Sequence, residues 1–241
     1  GMDVLGVYRA GHFLIVNCFS LVLTAMNTDY YPRICAVHSQ KDRLNAEVNA
    51  QTRLGLVLVF PIAIAFIAYA AIFIPLLYSN EFLSIVSYTD IAILGTILSV
   101  PSNCIAMVLL AKQDAKVFTT ISLIINIIST GLYIGMFELF GLVGLGLAYA
   151  LNVLIQLLTY TIVIKKRYKI SFEKSILYMD GFMLLVVGLC VLTKLFSSIY
   201  LVYIVETILV LVSCLYSLLH LKKMEIRVSD IINKITNKRK I

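Results

Sequence analysis

Residues 54–78 read LGLVLVFPIAIAFIAYAAIFIPLLY, a stretch with no charged side chain. About 20 helical residues cross a ~30 Å hydrocarbon core, so this stretch is long enough to span one. Backbone polar groups in hydrocarbon must be satisfied within their own segment, which makes it a helix. Six further apolar runs flank it, at 10–31, 85–111, 117–137, 140–164, 178–196 and 199–221. The run at 178–196 is the shortest and carries Lys194 near its end. The whole chain of 241 residues is 61% hydrophobic and 14% charged, with a mean hydropathy of +0.96. A soluble domain is about 45–50% apolar and about 25% charged. A water-soluble fold is excluded, and the fold class is an all-α integral membrane protein with about seven transmembrane helices.

The charges alternate between loops. All Lys and Arg except Arg9 and Lys194 fall after the first, third, fifth and seventh runs, in residues 33–53, 112–116, 165–174 and the tail 222–241. The positive-inside rule then sets the C-terminus in the cytoplasm and the N-terminus outside. The net charge of +7 is explained by this topology and by contact with anionic lipid. No separate basic domain exists to bind nucleic acid. There is no Trp, so the 14 Tyr and 12 Phe must form any interfacial aromatic belt. The five cysteines are scattered without a CxxC and read as small hydrophobes. No nucleophile–base pair, metal-ligand spacing or phosphate loop is visible, so no catalytic residue, metal or cofactor is expected. The opening residues lack a signal-peptide pattern.

Polar and small side chains mark the bundle-facing side of a membrane helix. At 100° per residue, Arg9, Asn17, Ser20, Thr24 and Asn27 share one side of the first span. Thr119, Ser122, Asn126, Ser129, Thr130 and Tyr133 share one arc of the fourth, and Gly141, Gly144, Ala148, Asn152 and Gln156 a ridge of the fifth. Each stripe has two readings: hydrogen bonds that assemble the bundle, or the wall of a hydrated cavity. The second span has no stripe, which predicts that it faces lipid over most of its surface. Intramembrane charges are expensive and are functional candidates by default. Asp90 lies shallow in the third span, and Glu206 is the deepest, on one face with Ser213, Ser217 and His220. Both are candidates for ion coupling, or interfacial structural charges. Arg9 opens the first stripe as a site residue or a snorkelling anchor.

The stretch Thr24-Ala-Met-Asn-Thr-Asp-Tyr-Tyr-Pro-Arg33 resembles a segment of Wzx-type polysaccharide flippases, of the multidrug/oligosaccharidyl-lipid/polysaccharide exporter superfamily, which often carry a similar AMGTDYFPR. The lead-in Gly1-Met-Asp-Val-Leu-Gly6-Val-Tyr8 is similar to that family's GxxxVGxY. Asn49-Ala-Gln51, Leu77-Tyr78-Ser79-Asn80-Glu81-Phe82 and Leu110-Ala111-Lys112 follow family patterns in order. The resemblance covers residues 1–170, as five helices of a C-terminal lobe. Residues 171–221, two further helices, match in hydropathy only, and 222–241 form the basic tail.

The resemblance implies a MATE-like transporter of two lobes around a central cavity. This chain would be the C-terminal half with two extra helices; the alternative is a start at Met2. It implies translocation of an undecaprenyl-diphosphate-linked oligosaccharide across the bacterial inner membrane by alternating access, for O-antigen or another surface polysaccharide. The substrate-binding candidates are Arg9, Asn17, Ser20, Thr24, Asn27 and Asn126. Implied partners are the lipid-linked substrate, the missing N-terminal lobe and other polysaccharide assembly proteins. The nearest rival is a multidrug exporter of the same superfamily. A seven-helix receptor would need a DRY-like triplet after the third span, where Ala111-Lys112-Gln113-Asp114 stands instead. A membrane-embedded ligase or polymerase would need a large outer loop, and the outer loops here are only a few residues long.

Overall fold

The computed structural model describes residues 2–194 and 199–223. Gly1, the end of the sixth run at 195–196 and the tail beyond Lys223 lie outside the described residues. Among the described residues, six helices are long and apolar enough to cross a membrane: α1 (Met2–Ala36), α2 (Lys41–Leu77), α3 (Ile85–Ala111), α4 (Ala115–Tyr168), α5 (Lys174–Thr193) and α6 (Ile199–Lys223). A short 3-10 turn, Asn80–Ser84, leads into α3. There is no strand among the described residues.

The two runs at 117–137 and 140–164 fall on one helical element, α4, which turns back on itself. Gly141 sits at φ 60° and ψ −135°, a conformation open to glycine because it lacks a Cβ. Beyond the bend, a Cβ on Gly144 would run into the Met136 carbonyl oxygen. Far from it, Phe118 stacks on Tyr160 at 6.1 Å between centroids, and the Ser122 and Tyr160 hydroxyls lie 3.1 Å apart. Residues 115–140 and 142–168 are therefore the two antiparallel arms of a hairpin. The second arm packs closely on α3: a Cβ on Gly95 would come within 2.9 Å of the Ala150 Cα, and one on Gly146 within 2.7 Å of the Tyr88 carbonyl oxygen.

The placement of α2 corrects the expectation that it faces lipid. It touches α1, α3, α5 and α6, with Leu56, Val57, Ala63, Ile64 and Ile67 fully buried. Phe60 packs against Phe182 of α5 and Tyr216 of α6. Helices in lipid associate through shape and van der Waals contact as well as through polar groups. A helix without a polar stripe can therefore form the centre of a bundle.

The basic loops gather at one end. Lys112 donates to the His38 carbonyl, and Arg167 pairs with Asp114 at 2.7 Å. Asn45 and Asn49 hold Ser171 and Glu173 through the linker backbone. Arg53 pairs with Glu173 at 2.9 Å. The Tyr168 hydroxyl donates to the Asp114 carboxylate. Arg33 ties Asp29 to Glu47 and Gln51. Lys194 lies at the opposite end, paired with Asp90 near the start of α3.

Candidate functional site

α1 has two unlike faces. Leu14, Ile15 and Phe19 are buried in the core. On the other face Arg9, Asn17 and Thr24 are exposed, and Ser20 is partly so. Several of these polar groups bond within their own helix. Asn17 Nδ2 donates to the Phe13 carbonyl at 2.8 Å, and Ser20 to the Asn17 carbonyl at 3.3 Å. Thr28 donates to the Thr24 carbonyl at 3.0 Å. Such local bonds let a hydroxyl or amide stand on a membrane helix without a partner on another one. Arg9 forms no ion pair among the described residues.

At the basic end of this face, Asn27 reaches across to α3 and donates to Asn103 Oδ1 at 3.1 Å. Asn103 belongs to a cleft of 260 Å³ between α1, α3 and the α4 hairpin. Ser99, Ser102 and Asn103 supply one polar wall, and Gln156 and Tyr160 the other. Leu23, Met107 and Phe118 close its apolar side. Tyr160 is held by Ser122 and by stacking on Phe118. The cleft thus offers amide, hydroxyl and ring surfaces together, the mixture that suits a polar, uncharged ligand.

The structure brings only part of the expected site together. Asn27 reaches the edge of the cleft through its bond to Asn103 without lining it. Asn17, Ser20 and Thr24 continue from it along the open face of α1. Arg9 is far from it, 18 residues or roughly 27 Å along the axis from Asn27. Asn126 stands exposed on the first arm of α4, one turn beyond Ser122, and does not line the cleft. Ser102, Asn103, Gln156 and Tyr160 were not among the expected site residues. Asn103 stands in a helical row with Thr96 and Ser99 in the third span, and Gln156 ends the fifth span's ridge, while Ser102 and Tyr160 belonged to neither pattern.

Near the other end, α1, α3 and α4 share a cluster of rings. Tyr8 meets His12 at 5.7 Å and Tyr88 at 5.4 Å. His12 Nδ1 lies 3.1 Å from the Tyr88 hydroxyl, and Tyr149 packs edge-on to His12 at 6.0 Å. The i, i+4 spacing of Tyr8 and His12 was its only sequence signal.

The two ion-coupling candidates lie together on the far side of the bundle. Lys194 Nζ sits 2.6 Å from Asp90 Oδ1. Its neighbour Thr193 donates to the Cys190 carbonyl at 2.6 Å and lies 3.3 Å from Glu206 Oε1. Asp90 is 7% exposed and Glu206 1%. Asp90 thus already has a cationic partner supplied by the protein. Asp180 of α5, buried with Oδ1 unpartnered among the described residues, was missed, although a carboxylate inside an apolar run is visible in the sequence. No group of three or more His, Cys, Asp or Glu side chains is placed to hold a metal among the described residues.

Residues 1–87 match the family model described as polysaccharide biosynthesis protein. The match takes in α1 with its open polar face, all of α2 and the start of α3. No curated protein and no solved structure matches the chain. The matched segment supports the polysaccharide biosynthesis family, and the six apolar helices support a multi-pass membrane protein.

Proposed function

We propose that the chain takes part in translocating a lipid-linked oligosaccharide, carried on undecaprenyl diphosphate, across the bacterial inner membrane for surface-polysaccharide assembly. The observation that carries this reading is the open polar face of α1, which lies within the matched segment and runs into the cleft through the Asn27–Asn103 bond. The sugar and diphosphate cannot cross hydrocarbon unaided. A wall of amides and hydroxyls that bond their own helix when unliganded can exchange those bonds for sugar hydroxyls at small net cost. The Arg9 guanidinium, without an ion pair among the described residues, offers a bidentate donor fork to a phosphate.

In this reading the basic loops lie in the cytoplasm, as the positive-inside rule requires. The open face of α1 and of the first arm of α4 turns toward a second lobe of a MATE-like transporter. The two lobes rock against each other to give alternating access. The protein moves its substrate and makes or breaks no covalent bond.

The test is complementation of a flippase-null strain by the full-length protein. Arg9→Ala is expected to reduce export at unchanged membrane abundance, and Arg9→Lys to restore it only in part, because lysine lacks the fork. Full export by Arg9→Ala removes Arg9 from the site. Equal export by Arg9→Lys and the parent makes it a snorkelling anchor. Periplasmic labelling of a cysteine placed at 165–174 overturns the topology.

A further inference from the structure

On the side of α2 away from α1, a second cavity of 540 Å³ opens at the basic end between α5 and α6. Its lining divides by chemistry. Arg53, Ser175, His220 and Lys223 form the polar part, and Met179, Phe182 and Tyr216 form an apolar wall. Arg53 gives Nη2 to Glu173 at 2.9 Å and to Ser175 at 3.1 Å; its Nη1 and Nε make no bond among the described residues. His220 stacks on Tyr216 at 4.2 Å between centroids, which fixes its ring at the cavity wall. No carboxylate lines the cavity among the described residues. The nearby Glu173 answers one edge of Arg53, and the Lys223 ammonium forms no ion pair among the described residues.

The mouth faces outward from the bundle. Tyr178, also in the lining, is 76% exposed and Phe182 45% exposed. An occupant can therefore enter sideways from the surrounding lipid. Two cations at one end and aromatic rings at the other select an amphiphile with an anionic head, because a free phosphate gains nothing from the rings. We propose that this cavity is a binding site for one anionic phospholipid, its phosphodiester held by Arg53, Lys223 and His220 and its first acyl carbons lying on Phe182 and Tyr216. The site is separate from the α1 cleft, with α2 between them, and does not depend on what that cleft carries.

The probe is phosphatidylglycerol, supplied in nanodiscs of phosphatidylcholine, with native mass spectrometry of the full-length protein released from them. The parent protein is expected to retain one phosphatidylglycerol in preference to phosphatidylcholine. Each Lys or Arg near a membrane surface contributes enough that losing both Arg53 and Lys223 to Gln should lower retention by about thirtyfold. Lys223→Gln alone, which leaves the Arg53–Glu173 pair intact, should lower it by about fivefold. Lys222→Gln is the control: the same charge one residue away, on a side chain outside the lining, should lower retention clearly less than Lys223→Gln. Tyr216→Leu should reduce retention without altering headgroup preference. Equal loss in Lys222→Gln and Lys223→Gln would reduce the effect to general surface attraction and overturn the site. So would equal retention of phosphatidylcholine. Displacement of the lipid by glycerol phosphate would show a free-phosphate site and overturn the lipid.

Discussion

α1 and α2 are neighbours in sequence and both are apolar enough to cross a membrane, yet they occupy opposite situations. α2, with no charge from Leu54 to Tyr78, is the helix around which α1, α3, α5 and α6 pack. α1, with a polar stripe, leaves that stripe uncovered. In water the apolar helix would be central because water expels it. In lipid that force is absent, and α2 is central because its side chains interlock with those around it. The stripe on α1 marks a surface kept available within the described chain. The bundle accordingly has a packed part, α2 with α3, α5 and the second arm of α4, and an open part, α1 and the first arm of α4, while α6 covers α2 on one face and leaves an apolar face, with Tyr200 and Leu211, exposed.

The hardest test of that division uses glycines. Gly144 lies where the α4 hairpin closes, and any side chain there meets the Met136 backbone. Gly131 and Gly135, on the open arm, would have nothing within 4 Å of an added Cβ. Gly144→Ala should exceed the roughly 1–3 kcal/mol of ordinary overpacking, because backbone rather than a side chain must give way. Its membrane abundance should fall sharply, while Gly135→Ala should accumulate as the parent does. Similar abundance of the two variants would refute the hairpin.

The next effect concerns charge. Lys194→Ala should destabilise by about 3 kcal/mol, at the low end for breaking a buried pair because Lys194 is partly exposed, since it leaves Asp90 alone in the bundle. Asp90→Asn combined with Lys194→Met should recover most of that loss in thermal melting of purified protein. Arg9→Ala, on the open face, should leave the melting temperature unchanged. A loss in Arg9→Ala as large as in Lys194→Ala would mean that the open face is a structural contact.

A smaller effect separates two phenylalanines. Phe60 is 1% exposed, and Phe13 on α1 is 61% exposed. Phe60→Ala should cost about 2 kcal/mol, below the roughly 3–5 kcal/mol usual for a buried phenylalanine, because the unfolded reference in a membrane is already out of water and only the packing part is lost. Phe13→Ala should cost nothing measurable. Equal melting of both variants would remove the distinction between the packed and open parts.

The helical class and most span limits were legible because lipid imposes them through composition and length alone. The stripe on α1 was legible because a helix repeats every 3.6 residues and polar atoms in an apolar run stand out. The central place of α2 was not, because interlocking of Phe60, Phe182 and Tyr216 leaves no periodic polar trace. Nor was the pairing of Asp90 with Lys194, which sequence separation hides and only the return of α5 to α3 brings about. Gln156 was visible as the end of a ridge and Tyr160 was not, and their meeting with Asn103 depends on the bend at Gly141. The reversal itself was implied by the break between two apolar runs, while the angle that aims those side chains at α3 was not.

The smallest effect lies where the open and packed parts touch. Asn27 and Asn103 share a 3.1 Å hydrogen bond at the edge of the cleft. Side-chain hydrogen bonds between membrane helices average about 0.6 kcal/mol. Asn27→Ala and Asn103→Ala should each lower stability by about that amount, and the double-mutant cycle should return a coupling of the same size. If the pair serves only to hold α1 on α3, loss of transport should follow loss of stability in both variants. If it forms part of the cleft wall, Asn103→Ala should reduce transport more than Asn27→Ala at equal stability, because Asn103 lines the cleft and Asn27 reaches it through Asn103. Equal transport by the two variants would make the bond a fastening, and the open face of α1 would then end at Thr24 without entering the cleft.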